Sequence, residues 1–441
     1  MRGGRSLALL MLVLIPVAYF VSKEYREPTP ATEEKKLEKV FAVEVDKIDE
    51  LTIKSESGDR TTLRKTGADW QVVAPADGGP TAADGAEVSG ISTNLSSLEQ
   101  QRVIDENAKD LKEFGLAEPR VEVTFKSGGQ QHTLQIGAKT PTGSDLYAKL
   151  GGQPKVFLIP AYLDSTFNRK TFDLREKSAL KIDAQKVDSL EVTSAGRTIK
   201  FAKVNGTWQL ASPADPRSDP AAIDGVVGRV AGAQMKSVAP AADLTEYGLD
   251  KPVATARIGT GSSYATLLVG KAAADGTLYA KDEARPGVFT IESAVVDDLK
   301  KDAAQYRQKD LFDARAFNTT RLELTRGTDT FTFEKKTEKD KDGKEVEKWR
   351  QLAPVQKDAD ADKIATLLST LTGARATSFV EKSGSAKPAV SVTLTADGKQ
   401  ERVTFSRSGT EAFAVRDGVP GVAKIDTTLL DDIVKAVEAL R

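Results

Sequence analysis

The sequence predicts an α+β protein: tandem repeated units of mainly antiparallel sheet with packed helices, after an N-terminal transmembrane helix. Three observations predict it. First, Asp110-Leu-Lys-Glu-Phe-Gly-Leu-Ala-Glu-Pro119 returns as Asp243-Leu-Thr-Glu-Tyr-Gly-Leu-Asp-Lys-Pro252. Second, Trp70, Trp208 and Trp349, the only tryptophans, each stand five residues before a proline. Third, a stripe of apolar residues at helical spacing follows each tryptophan. Recurrence at a fixed period marks repeat architectures, in which each copy is one supersecondary unit.

The first element is apolar. Leu7 to Val21 has no polar interruption, with Arg2 and Arg5 before it and Lys23 and Arg26 after it. As helix, the segment from Ser6 to Ser22 spans about 25 Å. That is the short end of the transmembrane range, and snorkelling by Arg5 and Lys23 extends it. Pro16 kinks such a helix without excluding it. A cleaved signal peptide and a buried helix are the alternatives. Cleavage wants small residues at −3 and −1, and Ala18-Tyr-Phe-Val-Ser22 is mostly bulky. Basic residues before the span favour a cytoplasmic amino terminus. The expectation is a single-pass anchor in the inner (cytoplasmic) membrane, with the bulk of the chain extracytoplasmic. Lipid attachment at cysteine is excluded, because the chain has none.

The units then divide the chain: anchor 1–27, a Pro-, Thr-, Glu- and Lys-rich tether 28–39, repeat unit 1 at 40–175, repeat unit 2 at 176–312 and a divergent repeat unit 3 at 313–441. Each unit opens with alternating strands. Ile48, Leu51 and Ile53 correspond to Val187, Leu190 and Val192, with Leu322 and Leu324 as the third set. The tryptophan strand follows, and its proline ends it by withholding a ladder donor. A helix comes next, with stripes Val88, Ile91, Leu95, Leu98; Ile223, Val226, Val227, Val230; and Ile364, Leu367, Leu368, Leu371. One apolar stripe lies against a sheet. Further strands follow. Val121, Val123 and Phe125 alternate, Gly128-Gly129 turns the chain, and Leu134 and Ile136 alternate back. Leu146-Tyr-Ala-Lys149 recurs as Leu278-Tyr-Ala-Lys281, and Val156-Phe-Leu-Ile159 corresponds to Val288-Phe-Thr-Ile291 and Val422-Ala-Lys-Ile425. A short helix closes each unit. Phe172-Asp-Leu-Arg175 and Phe312-Asp-Ala-Arg315 lead into units 2 and 3.

The third unit lacks the aromatic-Gly-Leu string and offers Phe379-Val-Glu-Lys-Ser-Gly384 instead. It also carries a charged excursion, residues 335–348, centred on Asp342-Gly343. Asp-Gly favours a tight hairpin turn, so a protruding solvated hairpin is expected; a docking prong is the functional alternative.

Chemistry-bearing residues are few. Charge is balanced at 63 basic and 64 acidic residues, with no basic patch of the kind nucleic acid requires. His132 is the single histidine. It shares strand parity with Leu134 and Ile136, and its counterpart in unit 2 is Ala265. One histidine and no cysteine remove the Ser-His-Asp and Cys-His nucleophile arrangements and most zinc geometries. Asp110 and Asp243 are placed to cap a short helical turn, with Glu113 and Glu246 at capping-box spacing and Gly115 and Gly248 as left-handed C-caps. The Gly-Gly pairs at 78–79, 128–129 and 151–152 lack phosphate-loop spacing. No catalytic, cofactor-binding or metal residue is assigned, and no cofactor is expected.

The anchor, the strand-Trp-Gln-x-x-x-Pro element, the aromatic-Gly-Leu-x-x-Pro string and the Leu-Tyr-Ala-Lys string resemble the bacterial domain of unknown function numbered 4340, over most of residues 40–310. The resemblance implies envelope location and an accessory role beside ABC-type export or gliding-associated transport components. It implies no catalytic residues. The function expected is a non-enzymatic, membrane-anchored extracytoplasmic scaffold or adaptor, with a membrane or envelope protein as partner. The alternatives are a substrate- or envelope-polymer-binding module and a carboxylate-dependent hydrolase. The last would need two acids facing across a cleft, roughly 5 to 10 Å apart.

Overall fold

The computed structural model describes residues 37–75, 80–215, 217–240, 242–339, 344–382 and 385–440. The expected anchor, most of the tether, the Gly78-Gly79 pair and the Asp342-Gly343 turn lie outside them. The chain forms two compact units, one ending at Glu176 and one starting at Lys177. The first holds one nine-stranded sheet. The second holds two, and the strand order is the same in all three.

In the first sheet Ile48–Lys54 lies beside the central strand. Arg60–Thr66, Asp69–Ala74 and Thr81–Ala82 meander outward from Ile48–Lys54 to one edge. Helix α1 (Gly85–Ser97) then carries the chain to the opposite edge, where Arg102–Asp105 pairs with Val156–Pro160. The chain returns to the centre as Val121–Ser127, beside Ile48–Lys54. A second meander through Gln130–Lys139 and Asp145–Leu150 runs out to Val156–Pro160. Every pairing is antiparallel. Both meanders follow from alternation in the sequence. The far edge strand does not, because Arg102-Val-Ile-Asp105 is too short to show a period. Glu38–Lys39, which the sequence places in the tether, pairs with Glu99–Gln100 just after α1.

Each helix buries its predicted stripe. Val88, Ile91 and Leu95 of α1 join one core with the inward residues of the sheet, as do Phe167 of the short α2 (Leu163–Phe167) and Leu98 beyond the helix end. In the second sheet α3 (Pro220–Ala231) and α4 (Ser293–Leu299) do the same, and in the third α5 (Ala361–Thr372) and α6 (Thr427–Glu438). Asp84, Asp219 and Asp360 cap α1, α3 and α5, each accepting two backbone N–H groups. A carboxylate there satisfies orphan donors and faces the positive end of the helix dipole. The three prolines after the tryptophans are all cis and follow the strand ends directly.

The linkers obey a common rule that the sequence strings misplace. The N–H of the helix cap Asp84 donates to the Leu174 carbonyl, and that of Asp219 to Tyr306. Five residues on, the N–H of Ala179 donates to Ala233 and that of Leu311 to Ala374, just past the next helix. Val40 makes the same bond to Leu98 at the start of the first sheet. Equivalence therefore runs Leu174 with Tyr306 and Leu180 with Phe312. Phe172-Asp-Leu-Arg175 and Phe312-Asp-Ala-Arg315 are not counterparts; their likeness is local. Tyr306 is buried against Phe201, ring centroids 4.8 Å apart. Burial and the Asp298 charge push its hydroxyl up to about 12.

Candidate functional site: the arginine joint of the second and third sheets

The aromatic-Gly-Leu string does not line a groove. It packs on the sheet face away from the helices. Phe114 and Leu116 sit on Val156 and Tyr147, and Tyr247 and Leu249 on Val288 and Tyr279. Gly115 and Gly248 have φ of +64° and +67°, the left-handed region expected of them. Asp243 accepts the backbone N–H and the hydroxyl of Thr245, and both hydrogen bonds hold its carboxyl below the usual range. Asp110 accepts the N–H of Lys112. The expected capping box is incomplete: Glu246 contributes its backbone N–H to the Asp243 carbonyl, and among the described bonds no glutamate side chain reaches back.

The string docks so closely that the strand beneath must be glycine. A Cβ at Gly137 would lie 2.2 Å from the Phe114 carbonyl oxygen, and one at Gly270 2.0 Å from that of Tyr247. Ala138 donates its N–H to that same Phe114 oxygen. Both sheets break register opposite the docked turn, at Leu146/Ala148 and Val269/Ala272. In the third sheet Ser406 takes the glycine position, the register with the following strand Glu411–Arg416 is unbroken and the string is missing. String, glycine and bulge are one device, present twice and lost once.

His132 is a packing residue at the sheet rim. Its ring stacks on Phe125, 5.1 Å away, and meets the edge of Phe41. Its counterpart Ala265 pairs with Ile258 in the second sheet as His132 pairs with Phe125 in the first. Each tryptophan pairs across its strand with a lysine: Trp70 with Lys65, Trp208 with Lys203, Trp349 with Lys335. Trp208 is buried, and its indole N–H donates to Asp224 of α3. Trp70 and Trp349 are only partly buried. The charged excursion is a two-stranded ribbon, with Lys335 to Lys339 paired to Glu345 to Trp349. Two of its ion pairs, Lys335–Glu347 at 3.2 Å and Lys348–Glu338 at 3.8 Å, are internal.

A dense charge cluster lies where the second and third sheets meet, and sequence spacing gives no sign of it. Arg217 follows the edge strand Ala214–Asp215. It donates to the Asp310 carbonyl at 2.7 Å and to Asp313 at 2.5 Å. Arg416, from the third sheet, reaches the other Asp313 oxygen at 2.9 Å and the Leu311 carbonyl at 3.1 Å. Glu401 accepts the N–H groups of Asp313 and Ala314. Arg307 pairs with buried Asp215 at 2.5 Å, donates to the Pro420 carbonyl and lies 4.1 Å over the Phe379 ring. Burial lowers the Arg217 and Arg307 pKa, and the nearby Arg416 charge adds to the effect at Arg217. Burial opposes the Asp313 charge, yet Arg217 and Arg416 together hold its carboxyl below the usual range. The cavity these arginines line measures about 20 Å³, room for one water-sized molecule.

This arrangement ties residues of the second repeat to residues of the third. Each carboxylate in it is engaged by a guanidinium or by backbone N–H groups. Among the described residues no group of three or more His, Cys, Asp or Glu is disposed to hold a metal. A family model described as "Domain of unknown function (DUF4340)" matches residues 70–207 and 208–397. The matches begin at Trp70 and Trp208, inside sheets rather than between them. No curated protein matches the chain.

Proposed function

We propose that this chain, which belongs to the DUF4340 family, is a non-enzymatic scaffold or adaptor. One observation supports this most. The residues that recur between copies are spent on folding: tryptophans on helix and sheet, the aromatic-Gly-Leu string on its glycine, aspartates on helix caps. In repeat architectures such surfaces are extended and serve contact. The apolar segment Leu7 to Val21 supports an anchor in the inner membrane, with the sheets on the extracytoplasmic side. The partner we propose is a membrane or envelope protein, with an ABC-type transport complex as the first to test.

Fractionation tests the anchor: full-length protein is expected in the membrane, resistant to carbonate and released by detergent. A soluble mature form starting between residues 20 and 30 would overturn it. Crosslinking in cells tests the adaptor role, with a reproducible membrane-protein adduct expected. Hydrolysis of an envelope polymer by the purified protein, stopped by Asp110→Asn or Asp243→Asn, would replace the proposal with an enzymatic one.

A further inference from the structure

We propose that the second and third sheets move and open as one body, with the arginine joint as the coupling element between them. The connector has no slack. Arg307 bridges Ser218 of the second repeat, and the N–H of Gln308 donates to the Arg217 carbonyl. The next residue, Lys309, already accepts the N–H of Ala376 from the third repeat, and Asp310 bridges Arg375. No residue between the two attachments is free to act as a hinge.

The side chains close the same gap. Arg217 reaches forward to Asp313, and Arg307 ties Asp215 on one side to Pro420 and Phe379 on the other. The Arg217, Arg307 and Arg416 side chains are 11%, 12% and 15% exposed. Separating the sheets would take Asp313 and the Asp310 carbonyl from Arg217, and the Pro420 carbonyl and the Phe379 ring from Arg307, while Arg307 would keep Asp215. A guanidinium held largely out of water that loses an acceptor is left under-satisfied, which is unfavourable. Stacked repeats whose interface term is weak open independently; a strong interface makes them open together.

The chain has no cysteine, so two introduced cysteines can be labelled cleanly. Spin labels at Ser263→Cys and Lys399→Cys in the full chain report the distance between the sheets. A single narrow distribution is expected, with amides of both sheets exchanging through one opening with the same urea dependence. Arg307→Gln with Phe379→Ala is expected to broaden the distribution and split the opening into two. A broad distribution in the otherwise unaltered chain, or separate openings there, overturns the proposal. That result does not depend on whether the double variant folds. A folded double variant that keeps both signatures removes the arginine from the coupling role.

Discussion

Trp208 and Trp70 occupy the same strand position, yet the structure separates them. Trp208 is buried and its indole N–H is satisfied by Asp224, whereas Trp70 is half-buried. Trp208→Ala is therefore expected to cost about 3–5 kcal/mol in urea melts, and Trp70→Ala less, because truncation is costly in proportion to the packing it removes. A loss under about 1 kcal/mol at Trp208 would mean that packing is not what its position serves. Glycine carries a second contrast. Gly137→Ala and Gly270→Ala force a Cβ onto a backbone oxygen and are expected to destabilise by at least about 2 kcal/mol, the range of overpacking. Ser406→Ala, at the equivalent position with no docked string, is expected to stay within about 1 kcal/mol.

The ribbon of residues 335–348 extends the sheet past its core; Lys335 pairs with Glu347 and Lys348 with Glu338, and Lys336 and Glu338 also pair with the flanking Glu334 and Arg350. Deleting residues 336–347 is expected to move the melting temperature by less than about 3 °C, since exposed pairs contribute little and closure entropy varies slowly with length. A larger drop would show that the ribbon braces the third sheet. Loss of a crosslinked partner with an unchanged melt would make it a docking prong. The helices show the opposite economy. A stripe of four apolar residues, legible in the sequence, predicts both the helix and the face it buries. Their aspartate caps stand four residues before each stripe, a recurrence as plain in the sequence as the stripe itself.

Across the joint, stability depends on pH through Asp313. Its folded carboxyl titrates below the usual range, so its contribution is complete above the unfolded value, about 3.9, and is lost as pH falls through the lower folded value. Asp313→Asn is expected to lower the stability of residues 177–440 at neutral pH. The gap from the unaltered chain should begin to narrow as pH falls below about 4 and close only below the lower folded value, where the folded aspartate is protonated too. Urea melts across that range check it; a gap that persists unchanged into acid would mean that Asp313 acts by shape rather than charge. Because Asp313 is half exposed, solvent screens the effect and it is expected to weaken in high salt.

Sequence alone determined the α+β class, the repetition, the helix stripes and the left-handed glycines. These depend on near neighbours along the chain, where periodicity and φ preference act directly. It also showed that the third copy had lost its string. Tertiary structure decided the rest. The crossing of α1 to the far edge, the reason Gly137 is glycine and the true register of the linkers all depend on groups distant in sequence. The arginine joint is the clearest case. Asp215, Arg217, Arg307, Asp313, Glu401 and Arg416 are scattered among more than a hundred ordinary charges, and no spacing distinguishes them. Only folding, which brings two sheet edges and a slack-free connector together, takes Asp215 and the three arginines largely out of water and makes their pairing matter.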